Sequence, residues 1–489
     1  MSKIKSPVSS VPLILVVVTV AGFILRIIHL DHGIWYDEIL TLVRFVRPSL
    51  MEILTTYPSE NQHMLYSALS HVSVSIFGEH IWSLRLPAVI FGTLSIPALY
   101  YLGSLVTTRR ESLLAALLLM VSYHHIWFSQ NARGYSGLLF FTIVSTYLFI
   151  KGLRENNKAT WIVLAIANAL GIYLHLTMLF VVASQFICYI HFEIIKQRHE
   201  SFSRIQIKYV ILYGFGLSTI LTLLFYLPIL PDMFNHITME KQKIASEWTN
   251  PLWSLIEAVR GLSSGFGKMI VGAIGAIGLF SAGFLSYFRK NNQFVVLSLL
   301  PGILGFSALI LTQHNIWPRF FFFLFGFILL FIIRGAMVLS RVVMTRITAK
   351  ENQEAYSNFA GTVIVLLLIV FSVISVRYVY APKQDYESVI HYINSIEARD
   401  ANILIAGMTV VPFQEYYQMD WTAIESAEEL NVILAQGNET WLVYSFAVYM
   451  QSRLPDLWNA INSNFKTVEV FKGTIGGGAI VVCKANPKS

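Results

Sequence analysis

Asp37 and Glu38 stand side by side in Gly33-Ile34-Trp35-Tyr36-Asp37-Glu38, just past an apolar run from Val11 to Leu30. That run is long enough to cross a bilayer. Two carboxylates at such a place are costly to desolvate. A carboxylate there can take a proton from a hydroxyl or steady a developing positive charge. Adjacent side chains point in different directions, so the two acids can hold separate roles. Trp35 and Tyr36 can bury them at the interface; a solvated pair of loop acids is the plainer alternative. The pattern points to chemistry at a membrane face on a lipid-borne substrate.

Three more polar clusters lie at the ends of apolar runs. Asn61-Gln62-His63 shares the loop of the acids. Tyr123 to Ser136 joins two apolar runs and contains His124, His125, Asn131, Arg133 and Tyr135. Adjacent histidines on a helix do not face one another, which argues against a metal there. An arginine at a bundle mouth can grip a phosphate with its guanidinium fork, or can simply snorkel to the headgroups. Gln313 to Arg319 supplies a second such cation in Arg319. Two arginines, an acid pair and several aromatic rings suit a phosphate-linked, hydroxyl-rich substrate. Phe320 to Phe323 and Phe325 read mainly as lipid-facing packing.

The elements that must position these groups are membrane helices. The chain has 489 residues, 55% hydrophobic and 13% charged, where a soluble domain carries about 25% charged residues. Apolar windows predict an α-helical polytopic membrane protein with about eleven spans. They fall at 11–30, 82–106, 112–129, 136–153, 159–174, 177–195, 209–229, 268–288, 293–313, 318–340 and 358–380. The run from 11 follows Lys3 and Lys5 and reads as an uncleaved anchor. The net charge of +7 sits in short loops: Arg109-Arg110, Lys151 to Lys158, Lys196 to Lys208, Arg289-Lys290 and Arg341 to Lys350. This alternation marks the cytoplasmic side and is not the footprint of a nucleic-acid binder. The acid pair, Arg133, the loops 31–81 and 230–267, Arg319 and the tail then face outside. Within the first loop, Ser49 to Thr56 and Met64 to Phe77 read as amphipathic helices.

The chain divides into a membrane module, 1–380, and a soluble α/β tail, 381–489. Helices are expected in the tail at 385–398, 411–418, 426–436 and 455–464. Strands are expected at 402–406, 440–446, 467–472 and 479–484. Gly473 and Gly476 to Gly478 precede a strand and not a helix, so a turn is favoured over a phosphate loop. The two cysteines, Cys188 and Cys483, read as inert packing residues.

Taken together, these residues resemble the polytopic glycosyltransferases of GT-C fold. The likeness is to bacterial relatives of the protein O-mannosyltransferases and of the lipid A aminoarabinose transferase. It rests on Leu25-Arg26, Trp35 to Glu38, Asn61 to His63, Ser83-Leu84-Arg85-Leu86-Pro87, Ser129 to Ser136 and Trp317-Pro318-Arg319-Phe320. It implies inverting transfer of one sugar from a polyprenyl-phosphate carrier to a hydroxyl of a lipid, glycan or protein, at the outer face of the plasma membrane. By that likeness Asp37 is the general base and Glu38 positions it or the acceptor. Arg133 and, by a looser match, Arg319 hold the donor phosphate, and Asn61, His63 and Tyr135 contact substrate. Two departures stand out. Met64-Leu65 follows His63 where relatives often carry a proline pair. The acids are adjacent, unlike the acid-x-acid pattern of metal-dependent relatives, so no metal or other cofactor is expected. The main alternative is a flippase for lipid-linked sugars, although no internal repeat of the kind common in transporters is visible. A non-catalytic scaffold is the third reading.

Overall fold

The computed structural model describes residues 13–155, 157–191, 209–239, 250–253, 256, 270–396 and 401–486. Lys3, Lys5, the basic loop 196–208 and Trp248 lie outside the described residues. Helix α1 (Leu13–Ile27) opens the bundle. Next come the short α2 (Tyr36–Leu40), which runs into a π turn at Thr41–Val46, then α3 (Leu50–Thr55) and α4 (Met64–Phe77). The last two fall where amphipathic periodicity predicts them.

The centre of the bundle is α5 (Ile81–Val106), α6 (Arg109–Val121), α7 (Tyr123–Ser129), α8 (Tyr135–Glu155), α9 (Lys158–Leu174) and α10 (Met178–Tyr189). Local sequence sets several starts. Ser83 and His80 form a reciprocal cap at α5, and the Thr108 side chain accepts from the Glu111 amide at α6. Between α6 and α7 the chain bends by 60° at Ser122.

Then follow α11 (Leu217–Tyr226), α12 (Leu230–Met239), α13 (Ile270–Lys290), α14 (Asn292–Leu311), α15 (Phe325–Ile347) and α16 (Gln353–Val376). Helices α13 and α15 run parallel and touch through small residues. A Cβ at Gly283 would run into the Phe331 carbonyl, and one at Gly335 into the Leu279 carbonyl. Such close backbone approach is the packing device available where lipid removes the hydrophobic drive between helices.

Helices lie at every expected span, but length alone does not establish eleven crossings. Six described segments are long and apolar enough to cross, or seven if the bent α6–α7 pair is one span. Helices α1, α9 and α10 are shorter than that threshold. At two places a helix ends inside an apolar run that continues in sequence. Ser122 does this at α6, and His175 does it between α9 and α10.

The C-terminal part is a small sheet with helices. Its elements are α17 (Tyr386–Ser395), β1 (Asn402–Ala406), β2 (Thr422–Ile424), α18 (Ala427–Ala435), β3 (Thr440–Ser445), α19 (Ala447–Arg453), α20 (Pro455–Asn464), β4 (Phe465–Phe471) and β5 (Ile480–Ala485). The strand order is β2-β1-β3-β5-β4. β1 pairs in parallel with β2 and β3, and β5 pairs antiparallel with β3 and β4. Every residue of β3 is buried, as a central strand covered on both faces requires. The glycines 473–478 form the β4–β5 turn, as their position before a strand predicts. One apolar cluster runs from Ile39, Leu42 and Phe323 in the bundle to Tyr386, Phe413 and Val443 in the sheet unit. Cys188 and Cys483 are both buried, and they form no disulfide with one another.

Candidate active site

The two adjacent acids have very different surroundings. Glu38 is fully buried. Its Oε1 accepts from Arg85 Nε at 2.7 Å and from the Ala132 amide at 2.7 Å, and its Oε2 accepts from Arg85 Nη2 at 2.6 Å. Lys383 Nζ lies 3.7 Å from the same Oε2. Burial opposes ionisation of Glu38, but the charges of Arg85 and Lys383 outweigh it and hold the carboxyl below its usual range. The remaining Arg85 N–H groups donate to the carbonyls of Leu30, His32 and Gly33 at 2.8–2.9 Å. Arg85 therefore fastens the turn after α1 to the helix that carries the acids.

Asp37 is far less engaged. Its Oδ2 lies 3.3 Å from Arg319 Nη1, but no hydrogen bond of good geometry reaches that oxygen. Arg319 leads the 3₁₀ turn Pro318–Leu324 before α15. Its guanidinium stacks over Trp317 at 4.7 Å and approaches Trp35 at 6.0 Å. Trp35 is itself fixed, its Nε1 donating to Asn131 Oδ1 at 3.2 Å.

Arg133 sits deeper, 2% exposed. It donates to the Asn61 carbonyl at 2.7 Å and to Thr41 Oγ1 at 3.2 Å. Thr41 Oγ1 in turn donates to the Asp37 carbonyl at 2.7 Å. The Nε of Arg133 and that of Arg319 have no hydrogen-bond partner. His63 Nδ1 accepts the Gly134 amide at 2.7 Å, so the neutral ring carries its proton on Nε2. Burial, with Arg133, His175 and Arg319 nearby, pushes His63 well below its usual value and keeps it neutral. Its ring packs edge-on to Tyr135 at 5.3 Å and His175 at 4.7 Å. The structure thus brings Asp37, Glu38, Asn61, His63, Arg133, Tyr135 and Arg319 into one connected cluster.

Sequence reading missed four contributors. Arg85 appears in it only as part of a motif, although an arginine one turn into an apolar helix is a signal in itself. His175 closes α9 beside His63 and Tyr135. Lys383 and Gln384 come from the C-terminal part. Lys383 Nζ donates to the Gln130 carbonyl at 2.5 Å and lies over the Trp127 ring. Burial and Arg85 push its ammonium down to about 7, against the pull of Glu38. Gln384 Oε1 accepts the Tyr36 amide at 2.9 Å, at the start of α2, and its Nε2 donates to the Gly478 carbonyl at 2.8 Å. Nothing local in sequence marks these two. The phenylalanine run is also placed differently from the expectation. Phe322 and Phe323 are buried, and Phe322 packs on Phe128 at 4.2 Å, because the 3₁₀ turn directs them into the bundle and not to lipid. Among the described residues no group of three or more His, Cys, Asp or Glu side chains lies close enough to hold a metal ion.

Residues 62–226 match the sequence profile of the dolichyl-phosphate-mannose-protein mannosyltransferase family. No curated protein sequence matches the chain. In three dimensions the chain is similar to ArnT from Cupriavidus metallidurans in the apo state, with TM-score 0.54 and 11% identity over 97% of this chain and 99% of that one. The undecaprenyl phosphate-bound form of ArnT gives 0.55 and 10%, over 98% and 100%. The oligosaccharyltransferase AglB from Archaeoglobus fulgidus, in complex with an inhibitory peptide and a dolichol-phosphate, gives 0.56 and 12%, over 93% of this chain and 72% of that one. The membrane bundle, the acid-bearing first loop and the small C-terminal sheet domain together make this chain a protein of GT-C fold.

Proposed function

We propose that the chain is an integral membrane glycosyltransferase. It moves one sugar from a polyprenyl-phosphate carrier to an acceptor hydroxyl, with inversion and with Asp37 as general base. The observation that carries this reading is the contrast between the acids. Glu38 is saturated by Arg85, Lys383 and the Ala132 amide, while Asp37 has one guanidinium at 3.3 Å and free capacity to accept. Glu38 is the anchor of the loop and Asp37 the group left for chemistry. The family profile over 62–226 and relatives bound to undecaprenyl phosphate and dolichol-phosphate support the class of donor.

The step balances simply. Asp37 takes the acceptor proton as the acceptor oxygen bonds to the anomeric carbon. The bond from that carbon to the phosphate oxygen breaks, and its electron pair leaves with the carrier phosphate. Arginine stabilises the departing charge, so no strong acid is needed. Of the two arginines, Arg319 is the more open, with its side chain 25% exposed. Arg133 already donates to Asn61 and Thr41, so it shapes the wall and adds long-range positive potential. Arg319 Nη1 faces Asp37 Oδ2 at 3.3 Å. Arrival of the phosphate draws Arg319 to a stronger anion and releases the carboxylate, which orders donor before acceptor. Asn61, His63 and Tyr135 line the substrate space beside Arg133. The alternation of Lys/Arg-rich loops supports a topology with the acids and the tail, 381–489, outside the plasma membrane and the module 1–380 within it.

Purified protein given a polyprenyl-phosphate sugar and an acceptor is the test. Transfer by the natural protein is expected, with about 10²–10⁴-fold loss in Asp37→Asn and little change in donor binding. A flippase moves the lipid without cleaving it, and full activity in Asp37→Asn removes the assignment of the base.

A further inference from the structure

A cavity of about 500 Å³ lies far along the bundle from Asp37, between α13 and α15. Past the Gly283–Gly335 crossing these parallel helices carry their basic ends, and four cations line the space: Arg289, Lys290, Arg334 and Arg341. Arg334 has its own partners. Its Nη1 reaches Glu111 at 2.9 Å, and its Nε donates to Ser286 at 3.0 Å. Among the described residues no carboxylate pairs with Arg289, Lys290 or Arg341. Among the described residues, this cavity therefore faces three positive charges that no carboxylate pairs.

Loop cations that only set membrane orientation can spread into water, and that is the plainer account of a basic helix end. Two features separate this cavity from it. Arg334 and Arg341 are seven residues apart on α15, two turns along one face, and both line the same space as the end of α13. The other wall is apolar and open: Leu285 is 51% exposed and Val342 47%. A free anion would answer the charges but leave that wall bare. An amphiphile answers both, with an acidic head among the cations and chains along the wall. Basic pockets between membrane helices at this level take anionic headgroups, and guanidinium pairs well with phosphate oxygens.

We propose that this cavity binds the headgroup of an anionic phospholipid, with its phosphate held by Arg289, Lys290 and Arg341 and its chains lying along Leu285 and Val342. The proposal does not rest on the transferase reading. Such a lipid ties α13 to α15 at one end, while α15 begins at its other end with the turn that carries Arg319.

The test uses the full chain in lipid discs of phosphatidylcholine, with phosphatidylglycerol added in steps. Thermal unfolding is read for each mixture, and retained lipid is read by native mass spectrometry. The natural protein is expected to show a saturable rise in Tm with phosphatidylglycerol and to retain one such lipid. The variant Arg289→Gln/Lys290→Gln/Arg341→Gln is expected to bind on the order of a hundredfold more weakly, from about three cations lost near a charged lipid. The comparison is the rise on adding lipid, so a lower starting Tm does not obscure it, and Arg341→Gln alone gives an intermediate shift. No rise in the natural protein, or an equal rise in the triple variant, overturns the proposal. Inorganic phosphate with phosphatidylcholine discs is expected to do nothing. If it raises Tm as much, the occupant is a free anion and the lipid assignment fails.

Discussion

At the scale of single residues, neighbours in sequence differ because only one of them is fully partnered. Glu38→Gln leaves Arg85 and Lys383 buried against a neutral amide. Breaking a buried ion pair by removing one partner costs about 3–5 kcal/mol. The expected outcome is a protein that expresses poorly or unfolds early, read by detergent thermal melts, whereas Asp37→Asn melts like the natural protein. Arg319→Ala removes a charge-assisted phosphate contact of roughly 1.5–3 kcal/mol. Steady-state kinetics should show KM for donor raised by about 10- to 150-fold, with Arg133→Ala lowering stability as well because it strips Asn61 and Thr41 of their donor. That the acids, both arginines, Asn61, His63 and Tyr135 gather in one place was legible, since polar types at the ends of apolar runs are conspicuous. What each does was less so. That Glu38 is fully partnered depends on Arg85, 47 residues away, and on its bidentate geometry, which no spacing announces.

At the scale of elements, α2 is a helix of five residues held from both sides. Arg85 on α5 grips it at Glu38, and Gln384 ahead of α17 takes the amide of its first residue. Gln384→Ala is expected to lower kcat by about tenfold, the value of roughly one hydrogen bond, with KM for donor unchanged. An equal rise in KM would mean that the contact serves binding instead. Lys383 adds a pH signature. Its proton is lost in the folded protein near 7 but in the unfolded chain only near ~10.4. Between those values the unfolded state binds more protons, so this residue makes stability rise with pH, and the dependence flattens below about 7. Lys383→Met should remove that slope in melts taken from pH 7 to 9. Long elements such as α8 and α15 were readable from apolar length, β1 and β3 from short apolar runs, and α18 and α20 from their N-terminal Ser426 and Pro455. β2, three residues long, and the short α19 were not, because neither is long enough to display a period.

At the scale of the whole molecule, the charged loops give an orientation that can be checked directly. The two natural cysteines are buried, so background labelling is low. Cysteine placed at Glu428 should react with an impermeant reagent in intact cells, and cysteine at Lys350 only after lysis. Both side chains are exposed. The reverse pattern would put the acids on the cytoplasmic side, away from an outward-facing acceptor. The number of crossings was the least legible property, since breaks at Ser122 and His175 are decided by packing and not by hydropathy. The division at residue 381 reads clearly in composition, yet the apolar cluster and the 382–384 strap join the two parts into one body around α2.

That strap has a consequence in time. The amide of Tyr36 and the side chain of Gln384 are 348 residues apart in the chain. At about 5–20 residues per second, a ribosome needs roughly 20–70 s to go from one to the other. The β4–β5 turn that receives Gln384 is made later still. A nascent chain therefore holds its acid pair long before the piece that seats it exists. The short helix that bears the acids is therefore fastened on this side only after residues 384 and 478 have both been made.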